Sequence, residues 1–296
     1  MTRTKRRQIL GYCFILPAVI YMLAFIGYPI IYNWIISFQD ATAMTLKNTH
    51  RDFIGFENFK TIFGDSTFWA SIGHTFIYTI GCLVIQFGIG FAFALFFAKK
   101  FTFSKPIRGF IVISWMLPVT VTALVFKFML AQDSGIINAI LMNLHIIREP
   151  IGWLLKGSTA MFGLIMANSW VGIPFNMLLL TTGINNIPGE LYEAASIDGA
   201  SRFQQFKSIT VPLLRPTILS ALVLGFVLTF KVFDLVYVMT GGGPVDATEV
   251  LSTYSYKLSF QLFKFGEGAA CANVLFICLL AVALVYLRTI SADEEV

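Results

Sequence analysis

Apolar residues run in six long stretches, at about 9–37, 72–98, 107–130, 159–182, 216–240 and 268–290, with short polar or charged segments between them. Roughly 20 mostly apolar residues in a helix cross the hydrocarbon core of a bilayer. Backbone in lipid must satisfy its own hydrogen bonds, and the chain has no series of short alternating strands, so each stretch predicts a transmembrane helix. The pattern predicts an all-α polytopic membrane protein with six spans, folded as a single membrane domain over 1–296. Arg3, Lys5, Arg6 and Arg7 precede the first stretch as they would in a signal peptide. That stretch runs from Ile9 to about Ile36 without a small-residue cleavage pattern, which predicts a retained helix.

Composition strengthens this reading. Hydrophobic residues make up 57% of the 296 residues and charged ones only 12%, where a soluble domain carries about a quarter. The net charge of +5 does not indicate nucleic acid, because the cations sit in short clusters between apolar runs. The segment 99–108 holds Lys99, Lys100, Lys105 and Arg108 with no acid, whereas the first loop on the other side mixes Asp40, Asp52, Glu57 and Asp65 with its bases. The positive-inside bias then places 99–108, 183–215 and both termini in the cytoplasm, facing anionic lipid.

One cytoplasmic segment is long and carries helix punctuation. Residues 183–216 read GINNIPGELYEAASIDGASRFQQFKSITVPLLRP. Pro188 suits a helix start, and Glu190 and Glu193 suit the positive end of its dipole. Asp198-Gly199 ends that helix, with Gly199 free to adopt a left-handed conformation. Ser201 caps a second short helix, in which Phe203, Phe206 and Ile209 form an apolar stripe. Pro212 and Pro216 are expected to stop it before the fifth span. Two short helices around a Gly-Ala corner make a rod about 15 Å long per ten residues. Such a rod fits a groove on another protein, or else lies on lipid headgroups.

The set Glu193-Ala194-Ala195, Asp198-Gly199-Ala200, Ile209 and Pro212, preceded by Ile187-Pro188 and Leu191-Tyr192, resembles the EAA signature of binding-protein-dependent ABC importer permeases. The resemblance implies the type I ABC importer permease fold in a bacterial inner or plasma membrane. It implies that 183–215 is the coupling loop, held in a cleft of a separate ATP-binding-cassette ATPase, with Glu193 pairing a basic group there. Further partners implied are a second, homologous permease subunit and an extracytoplasmic solute-binding protein. ATP and Mg would be bound by the ATPase, leaving this chain without a cofactor of its own. The Gly-rich TGGGP at 240–244 has no following GK[ST], and the chain contains no GK dipeptide, so no phosphate cradle is expected.

Three more segments resemble the maltose and glycerol-3-phosphate branch: 233–244, 168–175 and 53–59. This implies a sugar or oligosaccharide as solute, with a polyol or phosphoester as the alternative. By position in that branch, Gly172, Phe175 and Thr229 match solute-contacting sites. Asn168, Trp170 and Asn176 add amides and an aromatic face of the kind that hold sugars. Lys231 and Asp234, three residues apart in the predicted fifth span, are expected to form an ion pair that fixes packing or to stand beside the solute.

Two other classes are weighed. An ion-coupled secondary transporter needs an intramembrane carboxylate relay or a broken-helix ion site, and Asp234 is the one candidate. A membrane-embedded enzyme would need paired carboxylates, HExxH or a Ser/His arrangement, and none is present. Cys13, Cys82, Cys271 and Cys278 fall in apolar runs without CxxC spacing, and His50, His74 and His145 are scattered, so neither disulfides nor a metal site is expected.

Overall fold

The computed structural model describes residues 3–45, 47, 51–99 and 101–294. His50 and Lys100 lie outside the described residues. Helices predominate, and among the described residues the only β pairing is two isolated bridges, Gln39 with Phe53 and Thr42 with Lys264.

Among the described residues, five helices are long and apolar enough to cross a membrane: Gly11–Ser37, Ser66–Ala98, Gly157–Asn185, Arg202–Phe230 and Phe265–Arg288. They are the first, second, fourth, fifth and sixth spans. The third expected span is not one rod. Ser104–Met116 and Val119–Met129 meet at 94°, because Leu117 before Pro118 is extended, with ψ 139°, as the proline ring requires.

The fifth span also departs from expectation at both ends. Pro212 and Pro216 do not stop the helix, which runs continuously from Arg202. A wide π-type turn at Phe206–Thr210 precedes Pro212, which thus sits in the first turn of the α segment Val211–Phe230, where a missing donor costs little. The helix closes at Phe230, and a separate short helix, Asp234–Met239, follows with Asp234 in its first turn.

The chain divides into two compact units. In the unit of 1–65 and 255–274, Asn33 donates to the Asn273 carboxamide oxygen at 2.6 Å. Asn58 donates to the carbonyls of Ser37 (2.9 Å) and Gln39 (3.0 Å). Phe53, Phe56 and Phe59 gather around Phe38 with ring centroids 5.2–6.3 Å away. The aromatic spacing of 53–59 is therefore a packing pattern.

The larger unit, 66–254 with 275–296, is organised by the second and fourth spans. Without water to drive helices together, close backbone approach and interhelical hydrogen bonds hold them. A Cβ on Gly90 of the second span would lie 2.6 Å from Asn176 Cβ and 3.2 Å from the Ile173 carbonyl. The contact therefore exists only because the residue has no side chain. The apolar core continues through Tyr78, Cys82, Leu164, Ile165, Leu235 and Val236.

Candidate functional site

The segment after the fourth span folds into two helices set around a corner. Pro188 stands at the N-cap of Gly189–Ile197, with Glu190 in the first turn. The helix ends in a Schellman arrangement: Gly199 N–H donates to Ser196 O (3.2 Å) and Ala200 N–H to Ala195 O (2.9 Å). Gly199 has φ +78°, with open space where a Cβ would be, so it is glycine for its backbone and not for lack of room. Ser201 then caps the next helix in a full capping box: its hydroxyl accepts from Gln204 N–H (3.3 Å), and Gln204 Oε1 accepts from Ser201 N–H (2.7 Å). Gln204, three residues after Ser201, was the sequence signal for this box, and the expectation named only the serine.

Side chains brace the corner, among them Gln205 and Thr210, which the sequence did not single out. Gln205 Nε2 donates to Ser196 Oγ (2.9 Å) and to the Ala200 carbonyl (3.2 Å). Tyr192 Oη and Thr210 Oγ1 are hydrogen-bonded at 2.9 Å, tying the first helix to the base of the fifth span. Phe206 packs its ring against Phe91 of the second span at 6.1 Å. Phe203, expected in the same stripe, is instead 73% exposed.

The helix Gly189–Ile197 thus has two unlike faces. Tyr192 and Ala195 turn inward, while Glu190, Glu193, Ala194 and Ile197, at i, i+3, i+4 and i+7, are all exposed. Ile197 is 87% exposed. Among the described residues, Glu190 and Glu193 take part in no ion pair. Of the remaining signature residues, Asp198 is the C-cap and exposed, Ala200 and Ile209 are half-buried, and Pro212 opens the α segment of the fifth span.

The residues expected along a solute path are dispersed. Gly172 and Asn176 face the second span: a Cβ on Gly172 would collide with the Gln86 carboxamide, and Asn176 donates to the Gly172 carbonyl at 3.0 Å. Gln86, which the sequence reading passed over, is buried and donates to the Asn168 carbonyl at 3.2 Å. Trp170 is 55% exposed. Phe175 packs on Trp115 with centroids 5.9 Å apart. The fourth span stays helical through Pro174. That proline cannot donate to the Trp170 carbonyl; Ser114 Oγ lies 3.4 Å from that carbonyl, while its shorter hydrogen bond, 2.8 Å, goes to the Ile111 carbonyl of its own helix. Thr229 is buried at the end of the fifth span.

Lys231 and Asp234 differ most from expectation. Both lie beyond the end of the fifth span, and both are exposed. Among the described residues no ion pair joins them. The intervening Val232-Phe233 is not helical, so the i,i+3 geometry on which the pairing rested is absent. The nearby TGGGP is a tight turn, with Gly241 at φ +60° and Gly242 at φ +88°. Thr240 and Thr248 close it through their hydroxyls at 2.8 Å. A Cβ on Gly242 would collide with the buried Glu249 carboxylate.

A multi-span bundle with a braced, outward-facing EAA helix defines a transport permease, and comparison with known proteins names its family. Residues 85–293 match the family described as binding-protein-dependent transport system inner membrane component, and the chain belongs to it. It is 34% identical over 284 residues to the trehalose/maltose transport system permease protein of Thermococcus litoralis, covering 96% of this chain and 94% of that protein. It is 31% identical over 290 residues to the sulfoquinovosyl glycerol transport system permease protein of Agrobacterium fabrum, covering 97% and 92%. The crystal structure of a bacterial ABC transporter involved in the import of alginate contains a chain of the same fold. That chain matches with TM-score 0.80 and 23% identity, over 98% of this chain and 97% of that one. The protein is a multi-pass permease subunit of an ABC importer.

Proposed function

We propose that this chain forms half of the path by which a sugar or oligosaccharide, handed over by an external solute-binding protein, crosses a bacterial cell membrane. A second, homologous permease forms the other half, and ATP with Mg is hydrolysed on separate ATPase subunits below. The observation that carries the proposal is the EAA helix. Its inner face is hydrogen-bonded to its own chain, while Glu190, Glu193, Ala194 and Ile197 present charge and apolar surface outward. Exposed apolar residues rimmed by charge mark an interaction surface.

Chemistry and mechanics follow from the same geometry. Glu193 offers a carboxylate to a cation on the ATPase, and Ile197 fills an apolar notch beside it. Because the corner is braced by Gln205 and Tyr192, a push on the EAA helix is not absorbed locally. The continuous helix Arg202–Phe230 carries it into the membrane. The fourth span moves with the fifth: the Gly183 Cβ position is 2.8 Å from both Leu214 Cδ2 and Thr217 Oγ1, so the two helices are in direct contact. Closure of the ATPase pair thus becomes rigid-body tilting of spans. The trehalose/maltose and sulfoquinovosyl glycerol permeases among the relatives support a carbohydrate as cargo.

The test is recovery of the cognate ATPase with the purified permease, together with solute uptake. Glu193→Ala is expected to leave membrane insertion unchanged and to reduce both ATPase recovery and uptake. Normal recovery and uptake in that variant would reject the coupling role. Uptake driven by a proton or sodium gradient without the ATPase would reject the ABC reading altogether.

A further inference from the structure

We propose that the cavity between an elbow formed by residues 97–99 and 101–108 and the end of the fourth span is a binding site for the phosphate headgroup of an anionic membrane lipid. The cavity has a volume of about 620 Å³. Its polar lining is Lys99, Lys105, Arg108, Thr102, Ser104 and Asn185, with no carboxylate. Among the described residues, Lys99, Lys105 and Arg108 take part in no ion pair. Three like charges around one hollow repel one another, and a polyanion held between them removes that repulsion. Arginine offers a planar fork to phosphate oxygens, lysine supplies point charge, and the hydroxyls and carboxamide supply further donors.

The surroundings favour a lipid over a free anion. Phe97 and Phe101 form one wall, their rings stacked at 6.2 Å. Beside the cations, Phe103, Ile107 and Phe110 stand 67%, 44% and 77% exposed. These side chains lie where the acyl chains of a lipid held at the cations run, an apolar continuation that a soluble phosphate does not have.

The site joins two parts of the chain that matter for coupling. Asn185 is the last residue of the fourth-span helix, and Pro188, three residues later, is the N-cap of the EAA helix. A headgroup bridging the elbow to Asn185 fastens the root of that helix. Anionic lipid therefore raises the fraction of ATPase strokes that move the spans. This consequence rests on the coupling role proposed above, whereas headgroup binding does not.

The test uses the assembled transporter. Native mass spectrometry reads phosphatidylglycerol retained against phosphatidylcholine, and uptake is measured in vesicles of either lipid. The wild type is expected to retain phosphatidylglycerol and to transport faster with it. The triple variant K99Q/K105Q/R108Q is expected to retain it about tenfold less and to lose the lipid dependence of uptake. The charge-preserving variant K99R/K105R/R108K is expected to behave as wild type, which separates loss of charge from loss of fold. Unchanged retention in the glutamine variant would overturn the site. Full restoration in phosphatidylcholine vesicles by inorganic phosphate would overturn the lipid as its occupant. Lipid-independent uptake by a wild type that retains phosphatidylglycerol would overturn the link to coupling. Failure of the coupling role itself appears elsewhere, as normal ATPase recovery in Glu193→Ala.

Discussion

The fourth span with its neighbours and the EAA corner both use side-chain hydrogen bonds to backbone carbonyls, but they direct those bonds differently. Around the fourth span, Gln86 of the second span and Ser114 of the broken third approach its carbonyls, Asn176 serves the Gly172 carbonyl of its own helix, and Gly90 and Gly172 let backbone and side chain meet. That region directs its bonds inward. At the corner, Ser201, Gln204, Gln205 and Tyr192 satisfy the local backbone and brace its turns, while the EAA helix keeps its outer face unused. The lesson is that hydrogen-bonded rigidity serves two ends here. One region uses it to hold a bundle together in lipid, and the other uses it to present a surface.

Substitutions in the two regions should therefore fail differently. Gly90→Leu is expected to have the largest effect. Its side chain would enter space held by Asn176 and the Ile173 carbonyl, and overpacking of this kind costs about 1–3 kcal/mol or more. Folded protein in the membrane should fall several-fold, as read by thermal unfolding in detergent; a normal melt would show that the interface tolerates opening. Gly199→Val comes next. Nothing crowds its Cβ position, so the cost is the left-handed backbone, about 1–2 kcal/mol for an L side chain. Insertion should stay normal while ATPase recovery falls, and Gly199→Asn should lose much less. Equal losses from Val and Asn would contradict a conformational role.

Ser114→Ala sharpens the comparison on the membrane side. It removes a hydroxyl that the Trp170 carbonyl opposite Pro174 shares, at 3.4 Å, with the Ile111 carbonyl at 2.8 Å, for a loss of at most about 0.6 kcal/mol, the average for an interhelical hydrogen bond in lipid. Rescue by replacing Pro174 with Ala, which restores the backbone donor, is the diagnostic result. The smallest effect is expected for the Lys231→Ala and Asp234→Ala cycle. With no ion pair between them, the two changes should add, with a coupling energy under about 0.5 kcal/mol. A larger coupling would restore the pairing expected from sequence.

What was legible in the sequence follows the same division. Span number and the EAA corner could be read because apolar length, Pro188, Asp198-Gly199 and Ser201 are local signals. The 94° break was signalled by Pro118 but hidden by apolar residues on both sides. The end of the fifth span was missed because 231–240 remains apolar after the helix has closed at Phe230. The roles of Gln86 and Ser114 could not be read, since each depends on a carbonyl more than 50 residues away. For the same reason Gly172, expected to face solute, turned out to face Gln86.

The most direct test of the central claim is cross-linking from Ile197→Cys, at the exposed crest of the EAA helix, in a background lacking Cys13, Cys82, Cys271 and Cys278. A disulfide or short cross-link to the ATPase subunit is expected in the assembled transporter, with no labelling of intact cells by a membrane-impermeant thiol reagent. Labelling from outside, or an ATPase-bearing complex in which the introduced thiol finds no partner, would contradict that claim.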